Sequence, residues 1–313
     1  MKQLSFLVSL ITEENDFQRE QAAAAEEAAS RLGIRLQVVY AQSDGILQSQ
    51  QLLKIVQTKS EPRCDAIIFE GAGATPLPQV ARAAVSAGIG WAVLNRQVDY
   101  ITELRHSHRT PIFSIAADHE EIGRTQARQI GALLPNGGTV LYIEGPSQSM
   151  AAQGRIAGFN QTKPANLVVR TMRGQWTQES AHKTIASWLR LSTSRQTQFD
   201  LVAAQNDDMA MGARKAFQEI TDLAYRNRWL SLPYLGCDGL PQTGQAWVNS
   251  GLLTATVISP PMAGQAIEIM AKALQTGIQP PEHTRTNQQS YPEIERLISN
   301  RGSKERAASV GGQ

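Results

Sequence analysis

The chain has 313 residues, 42% hydrophobic and 19% charged, the balance of a globular protein long enough for one large or two medium domains. Its 30 Lys and Arg against 28 Asp and Glu leave a formal charge of +2, which argues against a nucleic-acid or anionic-membrane surface with its concentrated basic field. The two cysteines, Cys64 and Cys237, lack CxxC spacing, so both are expected to be reduced and packed, with no zinc site.

The opening "MKQLSFLVSLI" has one lysine, a run too short for a membrane span, and no small-residue cleavage site before "TEENDF". It therefore reads as a first strand (4–10), and the chain as either cytoplasmic or written without its leader. Continuous apolar runs follow at 35–41, 65–71 and 90–95, as parallel strands covered on both faces require. Helical patterns lie between them at 17–32, 45–58 and 77–87, the first closed by Gly33. Segment 96–111, "RQVDYITELRHSHRTP", reads as a loop long for a βα unit and a natural place for a passage between lobes.

The alternation resumes with strands at 111–116, 139–145, 166–172 and 200–205, and helices near 118–133, 149–161, 177–192 and 208–224. A last group follows: strand 232–238, helix 240–250, strand 253–259 and helix 261–276. Repeated strand–helix units mean an α/β chain with parallel sheets, and about a dozen strands exceed one comfortable open sheet, so two lobes are expected. The tail "SNRGSKERAASVGGQ" has little apolar content, and 301–313 is expected to be flexible.

In parallel sheets ligands bind beyond the carboxyl ends of the strands. The residues at those ends are amides, carboxylates, hydroxyls, one guanidinium and two aromatics, with no nucleophile beside a base. Such a mixture suits a polyhydroxylated neutral ligand. Each hydroxyl both donates and accepts, and a ring face fits a flat aromatic such as Phe17 or Trp176. At "LVAAQNDDMAMGARKAF" (201–217), Asp207 or Asp208 is expected to cap the following helix, leaving the Asn206 amide free to recognise ligand. Arg96 could contact ligand or pin its own loop. Trp176 could be a platform or a lid over a small core, and Glu70 a ligand acceptor or a solvated carboxylate. "GAGATP" (71–76) imitates a dinucleotide fingerprint but carries Pro76 at the last glycine position. His106 and His108 alternate in a polar segment and are not read as metal ligands, and His119 reads as a helix N-terminal residue.

"AAQNDDMAMGARKAF", "LGCDG" followed by "GLLTATV", "LNRQ", "IAADHEEIGR" and "AAQGRIAGF" occur in an order and spacing that carry a resemblance. The chain resembles the sugar-binding periplasmic proteins of the ribose-binding type, the type I periplasmic-binding-protein fold, which also includes the effector domains of lactose-repressor-like regulators. The resemblance implies two Rossmann-like lobes joined by three hinge crossovers near Ile115–Asp118, Ile258–Pro260 and Glu282–Thr286. The N-terminal lobe would be 1–115 with 259–284, and the C-terminal lobe 116–258 with 285–300. It implies that a ligand is held in the cleft between the lobes, without a cofactor or metal, by Ser9, Asn15, Phe17, Glu70, Asn95, Arg96, Gln153, Trp176, Asn206, Asp238 and Ser259.

Four positions depart from the family pattern. The pair "DR" is "NR" at Asn95–Arg96, and Glu70 stands where an amide is usual, able to restore the lost acceptor. Gln18 replaces an aromatic, and Gln153 replaces an arginine while Arg155 remains. These departures keep the chemistry of ring and hydroxyl binding but move it away from ribose. The implied function is reversible binding of a small neutral carbohydrate or polyol by a monomer. Delivery to an ABC-type permease is the first role and ligand sensing for a kinase or DNA-binding partner the alternative. The protein is not expected to be an enzyme, and its place is the periplasm or cell envelope, with the cytoplasm second.

Overall fold

The computed structural model describes residues 3–58, 63–73 and 76–299. The expectation for 301–313 therefore lies outside the described residues, as do Ala74 and Thr75 of the glycine-rich stretch. The chain forms two compact units, 1–117 with 261–286 and 118–260 with 287–313. It passes between them after residues 117, 260 and 286, where the sequence reading placed 115, 258 and 284.

In the first unit the elements run β1 (Ser5–Leu10), α1 (Asp16–Leu32), β2 (Arg35–Tyr40), α2 (Gly45–Gln57), β3 (Ala66–Glu70), α3 (Pro78–Ser86), β4 (Gly90–Leu94), α4 (Tyr100–Ser107) and β5 (Ile112–Ala117). The second unit continues with α5 (His119–Leu133), β6 (Gly138–Glu144), α6 (Met150–Thr162), β7 (Leu167–Arg173), α7 (Gln178–Leu189), β8 (Leu201–Ala204), α8 (Asp207–Gln218), α9 (Leu223–Leu230), β9 (Tyr234–Leu235), α10 (Ala246–Asn249) and β10 (Thr256–Ile258). The chain then returns to the first unit for α11 (Ala263–Thr276) and β11 (His283–Thr286), and β12 (Gln289–Tyr291) rejoins the second.

The first sheet has the order β11-β5-β4-β3-β1-β2, with every pairing parallel. Strands β3, β4 and β5 are buried throughout because helices cover both faces, and Leu7, Ile67, Phe69, Trp91, Val93 and Ile112 form the core on one side. The second unit has the parallel sheet β7-β6-β8-β9 and a separate antiparallel pair, β10 with β12.

Six of the helix starts are fixed by a polar residue in the segment that follows a strand. Asn15 caps α1, Asp44 α2, Asp118 α5, Ser149 α6, Thr177 α7 and Asn206 α8, each accepting a backbone N–H of the first turn. The C-terminal end of α1 closes on Gly33 at φ 65°, a left-handed conformation open to glycine without strain. Capping side chains thus ring the carboxyl ends of the strands.

Four sequence expectations are corrected here. Segment 96–111 contains α4, and since β5 pairs parallel with β4 it is a βαβ crossover inside the first unit, not a passage between units. Tyr100, Ile101 and Leu104 form the buried stripe of α4, and the Tyr100 hydroxyl donates to the Pro76 carbonyl at 2.7 Å. The expected helix 208–224 is two helices, because Asp222 accepts the Tyr225 N–H at 3.0 Å and starts α9. The expected strand 232–238 is regular only over Tyr234–Leu235 and continues as isolated parallel bridges, Leu235 with Ala255 and Asp238 with Ile258, before the backbone turns at Asp238 and Gly239, with φ of 110° and 58°. The expected helix 240–250 is a π-type turn over 241–245 followed by the four-residue α10.

Candidate functional site

At the strand ends of the first unit, one carboxylate organises the surroundings. Glu70, the last residue of β3, is only 4% exposed. Its Oε2 accepts from Gln18 Nε2 at 2.9 Å and Gln21 Nε2 at 3.2 Å, and its Oε1 accepts from Asn95 Nδ2 at 2.8 Å. Its backbone is bracketed too: Gln48 Nε2 donates to the Glu70 carbonyl at 2.8 Å, and Gln48 Oε1 accepts the Ala72 N–H at 2.8 Å. Four carboxamides therefore hold one acid. Neutral donors satisfy the lone pairs of a buried carboxyl group without consuming a cation.

Three of the departures from the family pattern, Gln18, Glu70 and Asn95, are thereby one hydrogen-bonded group. Asn95 donates to the Glu70 carboxylate, and the glutamine at 18 grips the same carboxylate with its amide while its Oε1 accepts the Ile11 N–H at 2.8 Å.

Around this centre, Ser9 is fully buried and its hydroxyl accepts from Gln48 Nε2 at 3.0 Å. Asn15 caps α1 through the Gln18 N–H at 2.9 Å, and Phe17 lies in the first turn of the same helix. Asn95 holds a left-handed φ of 61°. The Arg96 Nη2 donates to the carbonyls of Gly71 (3.0 Å) and Gly73 (2.9 Å), so the guanidinium pins the loop after β3, while its buried Nη1 has no hydrogen-bond partner among the described residues. Burial pulls the Arg96 guanidinium below its ordinary pKa, with the Glu70 charge opposing.

In the second unit the strand ends are charged rather than amide-rich. Asn206 is itself the cap of α8, so the expected division of labour is corrected. Its Oδ1 accepts the Met209 N–H at 3.0 Å, and its Nδ2 donates to the Trp176 carbonyl at 2.9 Å. One acceptor lone pair and one N–H remain on that amide. Asp207 instead points back into the unit: Oδ1 accepts from the Thr256 hydroxyl at 2.7 Å and Oδ2 from the Gly239 N–H at 2.8 Å. Asp208 Oδ1 accepts from Gln178 Nε2 at 2.9 Å. Burial raises the Asp207 pKa well above the carboxylate range, the Asp238 charge adds to it, and the Thr256 and Gly239 bonds oppose.

Arg155 is the hub of this half. Its Nη1 donates to the Gln205 carbonyl, its Nη2 lies 3.6 Å from Asp238 Oδ1, and its guanidinium stands 5.4 Å from the centre of the Trp176 ring. Trp176 has φ 66° and rests on Gly145, where a Cβ would fall 2.3 Å from a ring carbon. Ser259 is buried with its N–H bonded to the Asp238 carbonyl at 2.9 Å, whereas Gln153 is exposed and bonded to the Ser147 carbonyl at 2.8 Å. The structure thus gathers Arg155, Trp176, Asn206 and Asp238 around one another and leaves Gln153 apart from that hydrogen-bonded group. Both cysteines are free; burial pushes the Cys64 thiol up to about 11, and raises that of Cys237 as well.

Sequence reading missed Gln21, Gln48 and Gln205, and gave Gln18 and Arg155 no contact role. A signal existed for two of them. Gln18 and Gln21 share the helical stripe of buried Ala22, Ala25, Ala28 and Ala29, and a polar residue on an apolar stripe must find a partner. Among the described residues no group of three or more His, Cys, Asp and Glu is arranged to hold a metal ion, and no helix is long and apolar enough to cross a membrane.

Residues 6–278 match the family model described as a periplasmic binding protein domain. The galactofuranose-binding protein YtfQ of Escherichia coli (strain K12) is 22% identical over 290 residues, 90% of this chain and 86% of that protein. The D-allose-binding periplasmic protein of the same organism is 24% identical over 278 residues, 87% of this chain and 85% of that protein. Among solved structures, the crystal structure of a galactofuranose binding protein superposes with a TM-score of 0.78 at 21% identity, covering 96% of this chain and 99% of that one. With two α/β units, three passages between them and a family match over most of its length, the chain belongs to the periplasmic binding protein domain family, a family of binding proteins.

Proposed function

We propose that the protein reversibly binds a small neutral carbohydrate or polyol with the strand-end residues of both units, releases it unchanged, and delivers it to an ABC-type permease. The observation that carries this reading is the pair of polar sets at those ends. Glu70, Asn95, Asn15 and Arg96 in the first unit and Asn206, Asp238 and Arg155 in the second offer acceptors and donors matched to hydroxyl groups. Phe17 and Trp176 supply flat apolar faces for a ring. The names of the relatives, galactofuranose-binding and D-allose-binding, support the ligand class. In this reading the protein acts as a monomer in the periplasm, the three chain passages serve as hinges, and ligand contacting both units shifts the population toward the closed form.

A thermal-shift screen tests this directly. D-galactose, D-allose, L-arabinose, myo-inositol, and other pentoses, hexoses and polyols would be added at millimolar concentration. A ligand with micromolar Kd present at 1,000 times that value raises stability by about 4 kcal/mol, a shift of several degrees. A screen in which no carbohydrate or polyol moves Tm removes the reading. Uptake by a permease-deficient strain, compared with its parent, tests the delivery step.

A further inference from the structure

We propose that Gln21 is a positioning residue that ties the Glu70 carboxylate to the start of α11, two residues past the chain passage after Pro260. Gln21 is fully buried on α1. Its Nε2 donates to Glu70 Oε2 at 3.2 Å, while its Oε1 accepts two backbone N–H groups at once, Met262 at 2.6 Å and Ala263 at 2.9 Å. No side chain of α11's own cap residue, Met262, caps that helix. The carboxamide of Gln21 therefore serves as the missing cap, reaching it from 241 residues away in sequence.

The orientation of this amide is dictated by chemistry. Two N–H donors demand the oxygen on one side, and a carboxylate demands the NH2 on the other; the flipped amide would set donor against donors and acceptor against acceptor. A glutamine is the side chain of this length that serves both ends. The close approach of the helices it spans is itself built in: a Cβ at Gly264 would fall 2.8 Å from the Ala24 carbonyl oxygen, so α11 can lie this near α1 only with glycine there.

The consequence is a linkage. Whatever moves Glu70 alters the side chain that holds the Met262 and Ala263 N–H groups at the start of α11, next to a passage between the units. A ligand hydroxyl donating to Glu70 Oε1, which accepts one bond from Asn95, would polarise the same carboxylate. The role in ligand response rests on the proposed function, but the linkage itself does not.

Amide-resolved hydrogen exchange on the ligand-free full chain tests it, comparing wild type, Glu70→Gln and Gln21→Met. Glu70→Gln removes the charge without changing volume. The expected result is exchange at Met262 and Ala263 at least ~10-fold faster in Glu70→Gln, approaching the Gln21→Met rate. Ala266, whose N–H bonds to the Met262 carbonyl inside the same helix, should keep its wild-type rate. Should Glu70→Gln fail to fold, Glu70→Asp withdraws the carboxylate from Gln21 and is read in the same way. Unchanged rates at Met262 and Ala263 in the Glu70 variant, while Gln21→Met accelerates them, overturn the linkage. So does a uniform acceleration that includes Ala266, which marks general destabilisation. A positive exchange result combined with a negative carbohydrate screen would leave the linkage standing and remove the ligand class.

Discussion

The two units keep buried carboxylates by opposite means. In the first unit Glu70 is surrounded by the amides of Gln18, Gln21 and Asn95, and the nearest guanidinium, Arg96, spends its Nη2 on the Gly71 and Gly73 carbonyls. In the second unit Asp238 faces Arg155, whose single guanidinium also stands over Trp176 and donates to the Gln205 carbonyl, while Asp207 is held by the Thr256 hydroxyl and the Gly239 N–H. A cradle of dipoles distributes its contribution over several bonds, so losing one leaves the rest. A shared cation concentrates it: losing Arg155 removes the cation beside Asp238, while Asp207 keeps its Thr256 and Gly239 bonds.

The largest expected effect follows from that contrast. Arg155→Met removes the guanidinium beside buried Asp238 and should cost about 3–5 kcal/mol of unfolding free energy, read by urea denaturation. Gln18→Leu in the first unit removes one of three carboxamide donors from Glu70 and should cost about 1.5–3 kcal/mol, as a hydrogen bond to a charged group does. Equal losses in the two variants would erase the distinction drawn here.

A smaller effect sharpens the second unit alone. Gly145→Ala places a methyl against the Trp176 ring and should cost about 1–3 kcal/mol while shifting the indole emission. An unchanged spectrum and Tm would mean that the indole does not rest on that glycine.

The pH dependence is gentler and has a definite sign. The folded-state pKa of Asp207 is raised, so the folded protein binds a proton more tightly there than the unfolded chain. Its stabilising contribution is complete below the unfolded value of about 4 and is lost as pH rises through the raised folded value. Asp207→Asn mimics the protonated acid, with its Oδ1 able to accept the Gly239 N–H and its Nδ2 to donate to the Thr256 hydroxyl. The variant should match wild type near pH 4 and become relatively more stable toward pH 8 in parallel denaturation series. A constant difference across that range would mean the pKa is not raised.

These contrasts explain what could be read from the sequence. The apolar runs ending at Leu10, Glu70 and Leu94 announced parallel strands, and the polar residues after them marked the region of the site, because strand periodicity and capping chemistry are local. Helix α4 escaped because only Tyr100, Ile101 and Leu104 face inward and the rest of its sequence is polar. At 206–208 the sequence reading gave the cap to Asp207 or Asp208, and local chemistry did not point to Asn206. The structure decides through Trp176, whose carbonyl engages the amide from 30 residues away. Gln18, Glu70 and Asn95 were each visible as departures from a family pattern. That they are one group depends on β1, β3 and β4 lying side by side, which only the sheet order reveals.

The most direct test of carbohydrate binding across both units is calorimetric titration of wild type, Glu70→Gln and Asp238→Asn with the carbohydrate giving the largest thermal shift. Binding in the micromolar range, about 8 kcal/mol, should weaken at least ~10-fold in each variant, one from each unit. Wild-type affinity in both variants would contradict it.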